Sequence, residues 1–266
     1  ACSDFKFKKG LVSATKTSGH TLQIADGLWL DKKFKAAMMK SIAQSELDRK
    51  RFVYSDIGFI LLQQVVEAVT GKTLDAYLVS EFYRPMGLEH TLFQPLNRYK
   101  KADIMPTAAN DYLRRQDLCG YVHDEAAAFM GGVSGNAGLF STAQELGKIY
   151  QMILNEGELD GKRYLRPETC RIFTTEKSAV SHRGLGYDKP NLKDPKANAC
   201  ASSAPASVYG HTGFTGTCAW VDPENDLVYI FLSNRLCPDA WNGKLNSMKI
   251  RQAVQEVIYQ SLYTPE

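Results

Sequence analysis

Two apolar strands joined by a short turn, with an amphipathic segment behind them, constrain the fold of this chain most. The first strand covers Cys218 to Val221, the turn is Asp222-Pro223-Glu224-Asn225-Asp226, and the second strand runs from Leu227 to Ser233. Between residues 247 and 263, apolar side chains recur at helical spacing. A hairpin is stable in water only when its apolar face is covered. The pattern therefore predicts an antiparallel sheet with the C-terminal helix packed across it.

A glycine-rich stretch, His211-Thr212-Gly213-Phe214, leads into this hairpin. Gly210, Gly213 and Gly216 carry no Cβ, and a backbone without Cβ atoms lets a ligand approach closely. Two interpretations stay open at this point. The stretch is either the edge of a substrate site or an ordinary glycine-rich hairpin.

Tyr54-Ser55-Asp56 stands directly before another segment with helical spacing, which predicts a helix over 56–70 that ends at Gly71. Ser55 or Asp56 can cap the start of this helix. A tyrosine at the mouth of a helix can carry protons; the alternative is a helix cap beside a buried tyrosine. Two more helices are predicted, over 73–84 and over 141–156, the second opening with the capping box Ser141-Thr142-Ala143-Gln144.

Together and in this order, these segments resemble the serine β-lactamase and penicillin-binding-protein superfamily, especially its class C-like esterase and D-aminopeptidase branch. Tyr54-x-Asp56 stands where that superfamily has Tyr-x-Asn, and His211-Thr212-Gly213 stands where it has Lys-Thr-Gly or His-x-Gly. The likeness runs from about His20 to the end and is close to the β-lactamase-like domains of Bacteroides-type envelope proteins. Three more stretches carry it: Glu81 to Gly87 (EFYRPMG), Val122 to Ala126 (VHDEA) and Gly131 to Thr142 (GGVSGNAGLFST).

The resemblance implies an α/β fold of the α+β kind, β-lactamase/transpeptidase-like, in which helices flank an antiparallel sheet and a helical lobe lies beside it. Residues 1–266 are expected to form a single domain. In this superfamily the nucleophile is the serine of a Ser-x-x-Lys motif at the start of a buried helix. Ser13-Ala14-Thr15-Lys16 spells that motif, but Thr17-Ser18-Gly19 disfavours a helix there. We therefore expect the chain to be the C-terminal portion of such a domain, truncated at its N-terminal side and without the nucleophile segment.

The resemblance also implies roles for the remaining site residues in an acyl-enzyme mechanism. Tyr54 carries protons, His211 and Thr212 contact the polar end of the substrate, and Gly213 and Phe214 line the acyl site, with the Phe214 N–H as oxyanion donor. Asp56 departs from the usual Asn, because a carboxylate cannot donate an amide hydrogen bond. His211 departs from the usual Lys, because its charge depends on pH. Both departures favour an ester or a D-amino-acid peptide over a β-lactam as substrate.

Two other motifs resemble a nucleophile elbow and a metal site, but neither has the pattern that such a site requires. Gly132-Val133-Ser134-Gly135-Asn136 is near a nucleophile elbow, yet Asn136 replaces the last glycine and no strand precedes the serine. The resemblance makes this stretch a loop that lines the site. His123-Asp124-Glu125 offers three adjacent ligands that cannot converge on one metal ion. No nucleotide-binding motif stands in a strand-to-helix context, so we predict no metal and no cofactor.

Composition excludes several partners. The net charge of +3 comes from 32 basic and 29 acidic residues, which argues against nucleic acid. No apolar run approaches the roughly 20 residues of a membrane span. The six cysteines show neither metal nor disulfide spacing, so buried free thiols are expected. By resemblance, the chain belongs to the periplasm or cell envelope, as part of a larger envelope protein.

These observations predict a serine hydrolase domain that acts on esters or on D-amino-acid cell-wall peptides, with a small molecule or a peptide as its substrate. One alternative is a non-catalytic binding or accessory module that uses the same cleft. A second alternative is a true β-lactamase. If N-terminal elements are absent, apolar surface is left uncovered, and we expect the chain to be marginally stable or to self-associate.

Overall fold

The computed structural model describes residues 7–46 and 52–263. Their contacts divide the chain into two compact units. The first unit comprises the described residues up to Phe140 together with Leu236–Ala240. The second unit comprises Ser141–Arg235 and the described residues from Trp241 onward. The single domain over 1–266 stays a prediction.

The first unit begins with a three-stranded antiparallel sheet, in which Leu28–Asp31 lies between Val12–Ser13 and His20–Ala25. Ile24 and Leu30 from this sheet pack with Ala128 in a buried apolar cluster. The helix predicted over 56–70 is confirmed, and it covers Ile57–Thr70. The elements up to residue 83 are β1 (Val12–Ser13), β2 (His20–Ala25), β3 (Leu28–Asp31), α1 (Phe34–Ala43), α2 (Ile57–Thr70) and α3 (Leu74–Leu78), which continues as a π-helical turn (Val79–Tyr83).

Short strands and one short helix complete this unit. They are β4 (Leu92–Phe93), β5 (Pro106–Asp111), β6 (Gln116–Cys119), α4 (Glu125–Phe129) and β7 (Leu139–Phe140). Strand β4 pairs with β7, and β5 pairs with β6, both antiparallel.

A buried ion pair fixes the β5–β6 hairpin. The side chains of Asp111 and Arg114 are both 0% exposed and are joined by Nη2–Oδ2 and Nε–Oδ1 contacts of 2.7 and 2.8 Å. Arg114 also donates to the backbone carbonyls of Val122 and His123, at 3.0 and 2.6 Å. The guanidinium therefore ties the hairpin turn to the segment that enters α4.

Helix α2 is apolar on more faces than the one that it buries. Ile60 and Gln63 face inward, whereas Leu62, Val65 and Val69 are 56%, 55% and 81% exposed. Val65 and Val69 share the helical spacing of the apolar residues that predict this helix, yet both are exposed. Apolar residues lie on several sides of this helix, and the side that is buried is the one that carries Ile60 and Gln63. A contiguous apolar surface of this kind favours association.

We expect the chain to self-associate through α2, and the double substitution Leu62→Lys/Val65→Lys to shift it toward monomer without loss of helix content. Sedimentation velocity at several concentrations measures the shift. Met105→Lys, at an isolated exposed methionine of the same unit, is the matched control and should leave the distribution unchanged. A wild-type chain that is monomeric at all concentrations contradicts the prediction.

The second unit is built on the predicted antiparallel sheet, in the order β10-β11-β12. Trp220 and Tyr229 lie in its buried core, against which Ile258 packs. Tyr259 Oη donates to Asp222 Oδ2 at 2.8 Å, so the C-terminal helix crosses the sheet as predicted. The elements are α5 (Ala143–Leu154), β8 (Glu158–Leu159), β9 (Lys162–Arg163), α6 (Pro167–Thr175), β10 (Tyr209–Thr212), β11 (Cys218–Asp222), β12 (Leu227–Phe231), α7 (Lys244–Ser247) and α8 (Ile250–Tyr263).

Helix α5 begins one residue later than its predicted cap implies. The capping residue of α5 is Thr142, not Ser141, because Thr142 has extended backbone and its hydroxyl accepts the Glu145 N–H at 3.3 Å. The capping box is thus shifted by one residue.

The cysteines that the structure describes are free thiols, three of them buried and two half-buried: Cys119, Cys170, Cys200, Cys218 and Cys237. Cys2 lies outside the described residues.

Candidate active site

The predicted site residues lie in both units. Tyr54 and Asp56 belong to the first, and His211, Thr212, Gly213 and Phe214 belong to the second. Tyr54 is 58% exposed, which contradicts the alternative of a buried tyrosine. Of the two predicted caps of α2, only Ser55 acts as one: its hydroxyl accepts the Ile57 N–H at 3.3 Å, while Asp56 makes no capping hydrogen bond.

The carboxyl group of Asp56 is shifted toward its protonated form. Partial burial raises its pKa, and the nearby negative charge of Asp124 raises it further. A protonated carboxyl has an O–H donor, which an ionised one lacks. Asp56 can therefore donate a hydrogen bond, as the Asn at this place in the superfamily does, at a higher pH than an ordinary aspartate could.

The loop after α4 uses Ser134 as a structural hydroxyl. Ser134 is buried, and its Oγ donates to Asn136 Oδ1 at 2.7 Å. Asn136 Nδ2 donates in turn to Asp124 Oδ1 at 3.0 Å, and the same oxygen accepts the Ala127 N–H at the start of α4. The serine follows a helix and a turn instead of a strand, so the arrangement lacks the geometry of a nucleophile elbow.

Helix α2 binds this loop through a glutamine, Gln63, which no sequence motif singled out. Gln63 donates from Nε2 to the Val133 carbonyl at 3.3 Å and accepts the Gly135 N–H at 3.2 Å. A Cβ at Gly135 would collide with the carbonyl oxygen of Phe59, so the loop backbone lies directly on the helix. The only available signal was a glutamine on the inward face of an otherwise apolar helix.

Ser13 does not stand at the start of a helix. It is the last residue of β1, and its hydroxyl accepts the Thr15 N–H at 3.3 Å. Lys16 lies 5.6 Å from the ring centroid of Trp29, as a cation–π contact. The strand-and-turn context gives Ser13 none of the help that a helix N-terminus offers a nucleophile.

Contacts within the protein require glycine at the positions around β10. A Cβ at Gly210 would collide with the Ala219 carbonyl of the neighbouring strand, and one at Gly213 would collide with the Thr217 hydroxyl. Gly216 has φ of +114°, a conformation that L side chains rarely adopt. Neighbouring protein atoms and backbone conformation therefore explain why these three positions are glycine, and the lining of the acyl site by Gly213 stays a prediction.

Two arginines hold the turn that contains Phe214. Arg251 Nη1 donates to the carbonyls of Gly213 and Thr217, at 3.2 and 2.8 Å. Arg235 Nε donates to the Phe214 carbonyl at 2.7 Å, and its guanidinium carbon lies 4.5 Å from the centroid of the Phe214 ring. The aromatic ring is 66% exposed, so it is presented at the surface by a backbone that is fixed beneath it.

Arg183 contacts the imidazole of His211. The guanidinium Nη1 lies 2.9 Å from His211 Nε2, and His211 Nδ1 lies 2.7 Å from the Thr212 carbonyl oxygen. A guanidinium only donates, so Nε2 must accept and Nδ1–H must donate to the carbonyl. Through this contact, the Arg183 guanidinium brings a positive charge to the end of β10.

A buried aspartate holds Arg183 in place. Asp188 Oδ2 lies 3.3 Å from Arg183 Nη2, and Oδ1 lies 2.9 Å from His182 Nε2. Asp188 also pairs with Gly210 through two backbone hydrogen bonds of 2.7 and 3.1 Å. Neither His182 nor Arg183 stands in a recognisable sequence motif, and no spacing rule connects Arg183 to a histidine 28 positions later.

Among the described residues, no group of three or more His, Cys, Asp or Glu side chains has the arrangement of a metal site. His123 is largely shielded from water, which lowers its pKa. Its neighbour Asp124 is engaged as the cap of α4. Within residues 7–46 and 52–263, every helix is too short or too polar to cross a membrane.

The mixed α/β fold and these segments place the chain among the β-lactamase-like hydrolases. The chain belongs to the β-lactamase family, whose model, described as "Beta-lactamase", matches residues 14–251. The resemblance to the β-lactamase and penicillin-binding-protein superfamily is thereby confirmed.

Two curated relatives are described as "Putative D-alanyl-D-alanine carboxypeptidase". The protein from Escherichia coli K12 is 38% identical over 197 residues, which cover 70% of this chain and 45% of the relative. The protein from Salmonella gallinarum is 32% identical over 227 residues, which cover 80% and 52%. The chain thus spans about half the length of the curated relatives that it matches.

Solved structures confirm the fold class. The octameric penicillin-binding protein homologue from Pyrococcus abyssi has a TM-score of 0.53 at 18% identity, covering 77% of this chain and 45% of that one. A β-lactamase from Mycobacterium bovis has a TM-score of 0.52 at 19% identity, covering 80% and 65%. At this level of identity the similarity concerns the fold alone.

Proposed function

We propose that this chain belongs to a serine hydrolase that forms an acyl-enzyme with peptides ending in D-alanine, with esters as a second class of substrate. The observation that carries the proposal is the Arg183 guanidinium 2.9 Å from His211 at the end of β10. A guanidinium that Asp188 holds in place can donate hydrogen bonds to a substrate carboxylate, and charge-assisted hydrogen bonds are the strong ones. The names of the curated relatives support the same substrate.

The roles of the other residues follow from the chemistry of acyl transfer. Tyr54 carries protons at the attacked and leaving groups. Thr212 and Arg183 bind the terminal carboxylate, with His211 positioning the guanidinium. Gly213 and Phe214 line the acyl group, and the Phe214 N–H stabilises the oxyanion. Asp56 hydrogen-bonds the substrate or the leaving group. A location in the cell envelope, within a larger protein, fits a substrate of this kind.

Carboxylate recognition can be tested with a matched pair of ligands. We expect N-acetyl-D-alanyl-D-alanine to bind the chain saturably, and its C-terminal amide to bind at least about tenfold more weakly, since a charged hydrogen bond is lost. Isothermal titration calorimetry measures both affinities. Equal affinity for the acid and the amide contradicts the proposal.

Arg183→Ala is expected to weaken binding of the acid by about 10- to 100-fold, because it removes one charged hydrogen-bond donor. Binding of the amide should change little. Arg163→Ala, at a half-exposed arginine that pairs with Glu158 in the same unit, is the control. An Arg183→Ala variant that binds the acid like wild type would leave the carboxylate without its proposed partner.

A non-catalytic binding module is the second candidate, favoured by the engaged hydroxyl of Ser134 and the strand context of Ser13. Labelling with a fluorophosphonate, followed by intact mass and peptide mapping, separates the two functions. We expect no adduct on Ser13 or Ser134. An adduct on another serine supports the hydrolase, whereas peptide binding without any adduct supports the module.

A further inference from the structure

The second unit contains a buried lysine whose ammonium donates to a backbone carbonyl. Lys189 is 4% exposed, and its ammonium donates to the backbone carbonyl of Thr174 and lies 5.7 Å from the ring centroid of Tyr209. In the part of the chain that the structure describes, no carboxylate pairs with it. Burying an ammonium is costly unless it is paired and fully hydrogen-bonded.

Lys189 lines a cavity of about 420 Å³ between α5, α6 and the start of β10. This volume lies within the range of small-molecule sites. Lys177 is a second cation at the cavity wall. The third, Arg171, is neutralised by Glu156 through two contacts of 2.7 and 2.6 Å. The apolar part of the wall consists of Ile153, Leu154, Ala206 and Pro223.

A structural role for Lys189 explains only part of this arrangement. Thr174 is near the C-terminal end of α6, where a cation interacts favourably with the last carbonyls. One carbonyl and one ring occupy two directions around an ammonium that has three N–H donors. Burial lowers the pKa of Lys189 to about 8, and the charge of Lys177 lowers it as well. Burial therefore makes the charged form of this amine less stable, and an anion bound beside it would stabilise that charged form.

We propose that this cavity binds a small organic acid, with its carboxylate or phosphate head at Lys189 and Lys177 and an apolar body against Ile153 and Leu154. The two unneutralised lysines select the negative head. The apolar wall selects a ligand with a hydrocarbon body over a bare inorganic anion. This inference does not depend on the proposed hydrolase activity.

Calorimetric titration of the chain with hexanoate, acetate and inorganic phosphate tests the proposal. We expect hexanoate to bind at least about tenfold more tightly than acetate, because its additional methylene groups are buried. Tight binding of phosphate together with weak binding of hexanoate would contradict the proposal that the ligand has an apolar body. Saturable binding of none of the three would overturn the site.

Two charge-reversal variants distinguish the effect of a cavity lysine from the effect of the protein's overall charge. Lys177→Glu, at an exposed lysine, should weaken hexanoate binding at least about tenfold, since it turns an attraction into a repulsion. Lys193→Glu, at an exposed lysine that does not line the cavity, should leave binding unchanged. Equal effects of the two substitutions would contradict a specific site.

Lys189→Met removes the buried amine and should abolish hexanoate binding. If this variant does not fold, proton uptake by the wild type decides instead. An anion beside Lys189 raises the pKa of its amine, so binding near pH 8.5 must take up protons. Titrations in two buffers of different ionisation enthalpy measure this uptake. The Cys170 thiol, whose pKa burial raises, stays protonated there. Binding without proton uptake would overturn the role of Lys189.

Discussion

Replacing Asp111 by Ala is expected to lower the free energy of unfolding by about 3–5 kcal/mol, because it leaves the buried guanidinium of Arg114 without its counter-ion. Both side chains are 0% exposed, so solvent cannot take over the lost contacts. The carbonyls of Val122 and His123 would remain as acceptors, but they carry no full charge. Urea unfolding followed by circular dichroism measures the loss.

Two further variants make this test specific. Glu81→Ala breaks the half-exposed pair with Lys72, where both side chains are 46% exposed, and should cost about 1 kcal/mol or less. Asp111→Leu/Arg114→Leu removes both charges at once and should recover part of the stability lost in Asp111→Ala. A cost of Asp111→Ala no greater than that of Glu81→Ala would show that the pair contributes little.

The same pair predicts a loss of stability in acid. Burial alone would raise the pKa of Asp111, but the hydrogen bonds and the charge of Arg114 outweigh it and hold the pKa below its ordinary value. A carboxyl whose pKa is depressed by folding stabilises the protein above its unfolded pKa, which is about 3.9 for Asp. That contribution is lost as the pH falls through the folded pKa.

In the proposed hydrolase, Tyr54→Phe is expected to lower kcat/KM for an activated ester by about 100- to 10,000-fold, the usual contribution of a proton-transferring side chain. The substitution removes one oxygen and keeps the ring. Tyr54 is more than half exposed, so the thermal midpoint should not move. Steady-state rates, together with the rate of fluorophosphonate labelling, measure the effect.

Tyr112→Phe provides the matched control, since Tyr112 is another tyrosine of the first unit and is 50% exposed. Its rate should stay within about threefold of wild type, because surface substitutions away from a site change energies only slightly. A Tyr54→Phe variant with a wild-type rate would exclude proton transfer by Tyr54. A slower rate in both variants would point to a general effect on the fold.

Local patterns predicted the C-terminal hairpin and helix α2 well, whereas α1, α6 and the β5–β6 hairpin were not predicted. The strands predicted from Cys218 and from Leu227 begin at those residues, and the helix predicted over 56–70 begins one residue later, at Ile57. Each of these elements is specified by alternation, by helical spacing or by a terminating residue within a few positions. The family resemblance added the fold class, which the comparisons confirm.

The contacts that shape the candidate site could not be predicted in this way. Gln63 reaches Gly135 across 72 positions, and Arg183 reaches His211 across 28. Such pairs depend on which faces pack together, and a single sequence holds no local signal for that choice. The contacts that require glycine at 210 and 213 could not be predicted for the same reason, because the atoms that crowd them come from β11 and from the far side of a turn.

The path of the chain has a consequence for how the protein is synthesised. Leu236 is buried in the first unit, and its carbonyl accepts the Ala109 N–H at 2.8 Å. The ribosome delivers Leu236 only after it has made Ser141–Arg235 of the second unit. The first unit therefore cannot finish packing while it emerges. Until most of the second unit has been translated, the Ala109 N–H lacks the Leu236 carbonyl as its hydrogen-bond partner.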